Sequence, residues 1–167
     1  MVHIDPGGIR NRQADTGVGG DGVAAFFGTY TPKIDDKGRL TLPAKFRNAL
    51  SGGVMVTQGL DHSLSVYPAE EFEATARRAN EASRNDPEAR AFVRLLLSGA
   101  DEQNLDGQGR VHLSPRLRDW AHLTKECVVT GQYDHLEIWD AARWAEYQDE
   151  HSEAFAAGGS AALDAII

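Results

Sequence analysis

The sequence predicts an α+β protein: two pseudo-symmetric, β-rich units with short helices, plus flanking helices. Three observations predict it. Short stretches alternate between apolar and polar residues, as "RLTLP" and "HSLSVYP" do, which is the period of a half-buried strand. Stretches rich in Ala, Glu and Arg lie between and after them, in helical pattern. Most tellingly, "IDDKGRLTLPAKFR" (34–47) recurs as "LDGQGRVHLSPRLR" (105–118) at a constant offset of 71 residues.

Taken in order, residues 1–25 carry the glycine strings "DPGG" and "DTGVGGDGV" and show no periodicity, so they read as a flexible N-terminal tail. The Gly17–Gly22 string lacks the lysine and the preceding strand of a phosphate loop. The first unit spans 26–72. "FFGTYTPKID" is strand-like, "DDKG" is a turn, and "RLTLP" sets Leu40 and Leu42 on one face, Arg39 and Thr41 on the other. Pro43 opens a helix "AKFRNAL" that Gly52 and Gly53 end. "VMVTQG" and "HSLSVYP" follow as strands.

Residues 73–100 form a helical connector. A helix over 69–85 leads into it, and Asp86–Pro87 caps a second that ends at Gly99. The second unit spans 101–144 and repeats the first. After a one-residue gain, Leu64 aligns with Leu136, Val66 with Ile138, Tyr67 with Trp139 and Phe72 with Trp144. Residues 145–167 form an acidic helix or tail without Lys or Arg. Each unit is about 50 residues, too small to bury much core alone, so a shared core is the economical solution.

The chain is acidic, with a formal net charge of -8 over 167 residues. Binding nevertheless follows the local field. Lys33 to Arg47 holds five basic and two acidic residues, a net +3, and Asp106 to Arg118 holds three basic and one acidic, a net +2. The rest of the chain therefore sums to -13, and positive charge is concentrated in the repeated element.

Within that element, Gly38 and Gly109 supply positive φ to the turns. Asp35 and Asp106 can accept turn N–H groups or the guanidinium of Arg39 and Arg110. Those arginines either lock a hairpin or project to bases and phosphate. Lys33, Lys37, Lys45, Arg47, Arg116 and Arg118 complete the candidate DNA-binding set, although solvated faces of two short amphipathic helices would explain either copy alone.

No chemistry-bearing constellation stands out. His62 and His135 each follow an aspartate and read as turn histidines, with no third metal ligand evident. No nucleophile elbow is present, and the acid pairs fall on helix surfaces. An enzyme is not expected, nor a cofactor. Cys127, the sole cysteine, reads as a buried, inert thiol. Tyr67, Phe72, Trp139, Trp144 and Tyr147 read as core or subunit interface. Without an apolar run of membrane-spanning length or a secretion signal, a cytoplasmic location is expected.

The segments "GTYTPKIDDKGRLTLPAKFR", "DGQGRVHLSPRLR" and "DHLEIWDAARWAEY" resemble the MraZ family of bacterial transcriptional regulators. The resemblance covers 26–147. It implies two AbrB-like swapped-hairpin units in one chain, and a ring-shaped homo-oligomer. It also implies a nucleoid-associated protein binding direct repeats in double-stranded DNA upstream of the division and cell-wall gene cluster, often repressing its own operon. Arg39 and Arg110 fall on the family's arginine positions, Asp35 and Asp106 on its aspartates. The second copy departs in having Gly107–Gln108 for Asp36–Lys37 and Ser114–Pro115 for Pro43–Ala44, which favours the first copy as the stronger DNA contact. The competing reading is an oligomeric interaction scaffold without DNA binding.

Overall fold

The computed structural model describes residues 25–164 and residue 166. The expected tail therefore lies outside the described residues except for Ala25, as does the Gly17–Gly22 string. The first unit contributes β1 (Thr29–Tyr30), β2 (Arg39–Thr41), β3 (Val54–Gln58), β4 (Leu64–Pro68) and α1 (Ala69–Ala82). After α2 (Pro87–Ser98) the pattern returns as β5 (Asp101–Gln103), β6 (Arg110–His112), α3 (Pro115–Trp120), β7 (Cys127–Gly131), β8 (Leu136–Asp140) and α4 (Ala141–Ala156).

Six strands form one antiparallel sheet in the order β1-β7-β8-β4-β3-β5, and β2 pairs with β6 in a separate ribbon. Exchanging equivalent strands of the two units returns the same order read backwards. The symmetry is swapped. β1 of the first unit pairs with β7 of the second, Thr29 opposite Thr130, while β5 of the second pairs with β3 of the first. The units meet at β4–β8, with Leu64 opposite Ile138 and Val66 opposite Leu136.

The core follows from this interleaving. Leu40, Leu42, Phe46, Leu50, Val54, Val56, Leu64 and Val66 join Val111, Leu113, Leu117, Val129, Leu136 and Ile138 in one buried cluster. Neither half has such a core alone, and at roughly 1.5–3 kcal/mol per fully buried aliphatic side chain the shared cluster dominates stability. The aligned aromatic pairs are both realised: Tyr67–Phe72 at 5.5 Å and Trp139–Trp144 at 5.2 Å between ring centroids, both edge-to-face. Cys127 is buried, and burial first, then the Asp140 charge, pushes its thiol up to about 11.

Two elements differ from expectation. "FFGTYTPKID" contracts to a two-residue strand with isolated bridges at Phe26, Lys33 and Ile34. Pro32 has no N–H to continue the ladder and contributes only its carbonyl, which accepts from the Cys127 N–H at 3.1 Å. "AKFRNAL" forms a single 3-10 turn, Ala44–Phe46, where the second unit makes a six-residue α-helix. Pro43 occupies the cap position rather than the first helical position, and it has no side-chain acceptor. At the equivalent place Ser114 caps the Leu117 N–H, with Pro115 following at the start of the helix.

Candidate nucleic-acid interface

Each repeated turn is built the same way. Asp35 Oδ1 accepts the backbone N–H groups of Lys37 (3.0 Å) and Arg39 (2.8 Å), and Oδ2 accepts Arg39 Nε at 2.8 Å. Asp106 Oδ1 accepts from Gln108 (2.9 Å) and Arg110 (3.0 Å), and Oδ2 accepts Arg110 Nε at 2.7 Å. Gly38 and Gly109 take φ of 77° and 73°, as the turns require. Both carboxyls are held below their ordinary range. The main cause in each case is the N–H of Arg39 or Arg110; the guanidinium and the second N–H add to it against partial desolvation.

The turns lead into the ribbon. Arg39 lies opposite His112, Leu40 opposite Val111, and Thr41 opposite Arg110. Leu40 and Val111 point into the core, so alternation puts Arg39, Thr41, Arg110 and His112 together on the outer face. The aspartates engage Nε and leave the terminal guanidinium nitrogens for other acceptors; Arg110 Nη1 lies 3.9 Å from Asp35 Oδ2, across the two units. Diagonal neighbours in such a ladder are roughly 7–8 Å apart, about two base-pair steps of DNA. A two-stranded ribbon with this outer face has the dimensions of a major-groove reader.

The profile of the family described as "MraZ protein, putative antitoxin-like" matches this chain twice, over residues 25–95 and 96–166. The chain belongs to the MraZ family. The boundary between the two matches falls within α2, so each match holds one copy of the repeat found in the sequence. Proteins named "Transcriptional regulator MraZ" from Mycobacterium sp. (strain KMS), Mycolicibacterium smegmatis and Corynebacterium glutamicum are 63%, 61% and 62% identical to it over 142 residues. Each alignment covers 85% of this chain and 99% of the relative.

In this MraZ chain the other expected basic residues divide by position. Lys37 is exposed at the tip of the first turn. Lys33 is an exposed flank residue 3.9 Å from Glu126, and Lys45 lies over the Tyr30 and Phe46 rings at 5.2 and 5.1 Å. Arg116 Nη2 donates to the Gly99 carbonyl at the end of α2 (3.0 Å). Arg47 and Arg118 are crossed: Arg47 Nη2 donates to the Gln108 carbonyl of the second turn at 3.0 Å, and Arg118 lies against Gly38 of the first. Arg118 Nε is buried there without a hydrogen-bond partner among the described residues.

His112 was outside the candidate set, although the "RVH" alternation places it beside Arg110 on the outer face as "RLT" does Thr41. His62 and His135, the two histidines noted in the sequence, are engaged elsewhere. His62, at φ 57°, hydrogen-bonds the Trp120 carbonyl through Nδ1, and His135 contacts Asp134 and stacks on Tyr67. Among the described residues no group of three or more His, Cys, Asp or Glu is placed to hold a metal ion, and no helix is long and apolar enough to cross a membrane.

Proposed function

We propose that this MraZ protein is a transcriptional regulator that binds double-stranded DNA through the outer face of the β2–β6 ribbon, as a ring-shaped homo-oligomer on direct repeats. The observation that carries the reading is the ribbon: two arginines, each oriented by its own aspartate, on one outer face of an otherwise acidic chain. Orientation by a carboxylate reduces the rotamer freedom lost on contact and presents the guanidinium edge for bidentate hydrogen bonds to guanine. In this reading Arg39 and Arg110 reach base edges. Lys33, Lys37 and Lys45 contact phosphates beside the first turn, and Arg116 flanks the second. Arg47 and Arg118 hold the opposite turns in place. The names of the relatives support the regulatory role. The target is the segment upstream of the protein's own gene in the division and cell-wall cluster, where binding represses. The protein works without a cofactor, in the cytoplasm at the nucleoid.

A net charge of +3 in one turn region is a small footprint, and several copies on one DNA supply the remainder through avidity. A second copy has a surface to meet. α2 leaves Phe92 and Leu95 more than half exposed on a helix that also carries Arg90 and Arg94, while distal α4 exposes Phe155 on a stretch that also carries Asp149, Glu150 and Glu153. Both helix surfaces expose apolar side chains, and the named charges are opposite in sign. A head-to-tail contact between them closes into a ring if the rotation allows.

The test is fluorescence anisotropy with labelled DNA from upstream of the gene, against scrambled DNA, at several salt concentrations. Specific binding that weakens steeply with salt is expected. Folded oligomer that ignores the native segment at low salt would instead identify an interaction scaffold.

A further inference from the structure

The two ends of the ribbon are not equivalent. At one end Arg39 faces His112, and at the other Arg110 faces Thr41. Thr41 and His112 stand at symmetry-related positions, offset by 71 residues, and both are exposed. Around them the symmetry holds: both arginines have the same aspartate clamp, and the neighbouring Leu40 and Val111 are both fully buried. The pair therefore breaks the symmetry on the outer face, where the turns and backbone retain it.

The surroundings of His112 differ as well. Gln103 in β5 grips its backbone from both sides: Oε1 accepts the His112 N–H at 2.7 Å and Nε2 donates to the His112 carbonyl at 2.9 Å. The Gln103 side chain is further held by Asp101 Oδ2 at 3.1 Å. The position 71 residues earlier is Pro32, which cannot make this grip. The clamp is one-sided and fixes the strand beneath the imidazole. The imidazole itself makes no hydrogen bond to the described residues.

We propose that Thr41 and His112 are specificity-determining residues that make the two ends of the ribbon read different base pairs, giving the chain a polarity on DNA. The inference rests on DNA binding through the ribbon. A histidine ring nitrogen can donate to a purine N7 beside the base contacted by Arg39. Threonine has a shorter reach and offers a hydroxyl together with a methyl that packs on the thymine methyl beside the base contacted by Arg110. A pseudo-symmetric protein with equal ends would prefer an inverted repeat. Unequal ends suit sites that all point the same way.

The test is selection of binding sites from a random duplex pool by the full chain and by its Thr41→His and His112→Thr variants. Wild type should enrich an asymmetric site. Thr41→His should transfer the preference found at the Arg39 end to the Arg110 end, and His112→Thr the reverse, each shifting base preference roughly tenfold at one end only. Gln103→Ala should broaden the preference at the His112 end and leave the other end unchanged. The same bases enriched at both ends by all three proteins would overturn the assignment while leaving DNA binding intact. Failure of wild type to enrich any sequence would overturn the DNA reading and the assignment together.

Discussion

Arg47 of the first unit donates through Nη2 to the carbonyl oxygen of Gln108 in the second, at 3.0 Å and across 61 residues of chain. Each turn of this protein therefore meets an arginine from the other unit: Arg47 through that hydrogen bond, and Arg118 by packing its guanidinium against Gly38. The two turns form one mechanical piece.

Substitution at the crossing should be costly. A Cβ at Gly109 would overlap Arg47 Nε, and the residue sits at φ 73°. Gly109→Ala is expected to lose about 1–2 kcal/mol of stability, chiefly from backbone strain and the displaced Arg47. Gly107, two residues earlier in the same turn, has nothing within 4 Å of such a Cβ. Gly107→Ala should leave the denaturation midpoint where wild type has it. Urea titrations of the two variants compare the sites directly.

Acid should loosen the turns. Asp35 and Asp106 have folded-state values lowered from 3.8, so the stabilisation from their charged forms is complete above the unfolded value and is lost as pH falls through the folded one. Thermal unfolding should show Tm falling below about pH 4. The double variant Asp35→Asn, Asp106→Asn should start from a lower Tm at neutral pH and decline less steeply. Parallel curves for the two proteins would remove the turns as the source of the acid response.

The two arginines should not contribute equally. Arg110 has a cross-unit contact with Asp35 besides its own aspartate, and the second turn carries Gly107–Gln108 where the first carries Asp36–Lys37. Arg39→Ala is expected to weaken binding to the native upstream DNA by roughly ten- to a hundredfold, in line with loss of a bidentate base contact. Arg110→Ala should weaken it less. Anisotropy titrations on one DNA rank the variants, and equal affinities across wild type and both variants would reject the assignment.

Cys127 should be silent in the folded protein. It is buried, and its thiol is pushed up to about 11. A maleimide reagent at neutral pH should label the denatured chain fully and the native chain hardly at all. Fast native labelling would contradict the packing of β7.

Much of this was legible in the sequence. The offset repeat exposed the pseudo-symmetry, and the Asp-x-x-x-Arg spacing foretold turns that the structure builds with three hydrogen bonds each. Local signals served well because the chemistry was local: Asp35 bonds Lys37 and Arg39, and Asp86 caps Glu88. Non-local pairings left no such trace. Nothing in the stretch around Thr29 says that it pairs with Thr130 of the other unit rather than with its own neighbours. Arg47 and Arg118 read as members of the DNA-binding set, with solvated helix faces as the alternative, because only the crossed hairpins bring them over the opposite turns. His112 escaped notice for a different reason. An imidazole opposite Arg39 gains its meaning only from the strand register.

Under the proposed function the ribbon face, and not the chain's charge in general, binds DNA. The most direct measurement compares Arg39→Ala with Arg77→Ala on labelled upstream DNA by anisotropy. Both remove one positive charge, but Arg77 lies exposed on α1, paired with Glu73 at 3.0 Å. A large loss for Arg39→Ala with near wild-type affinity for Arg77→Ala is the predicted result. Equal affinities for the two variants would contradict it.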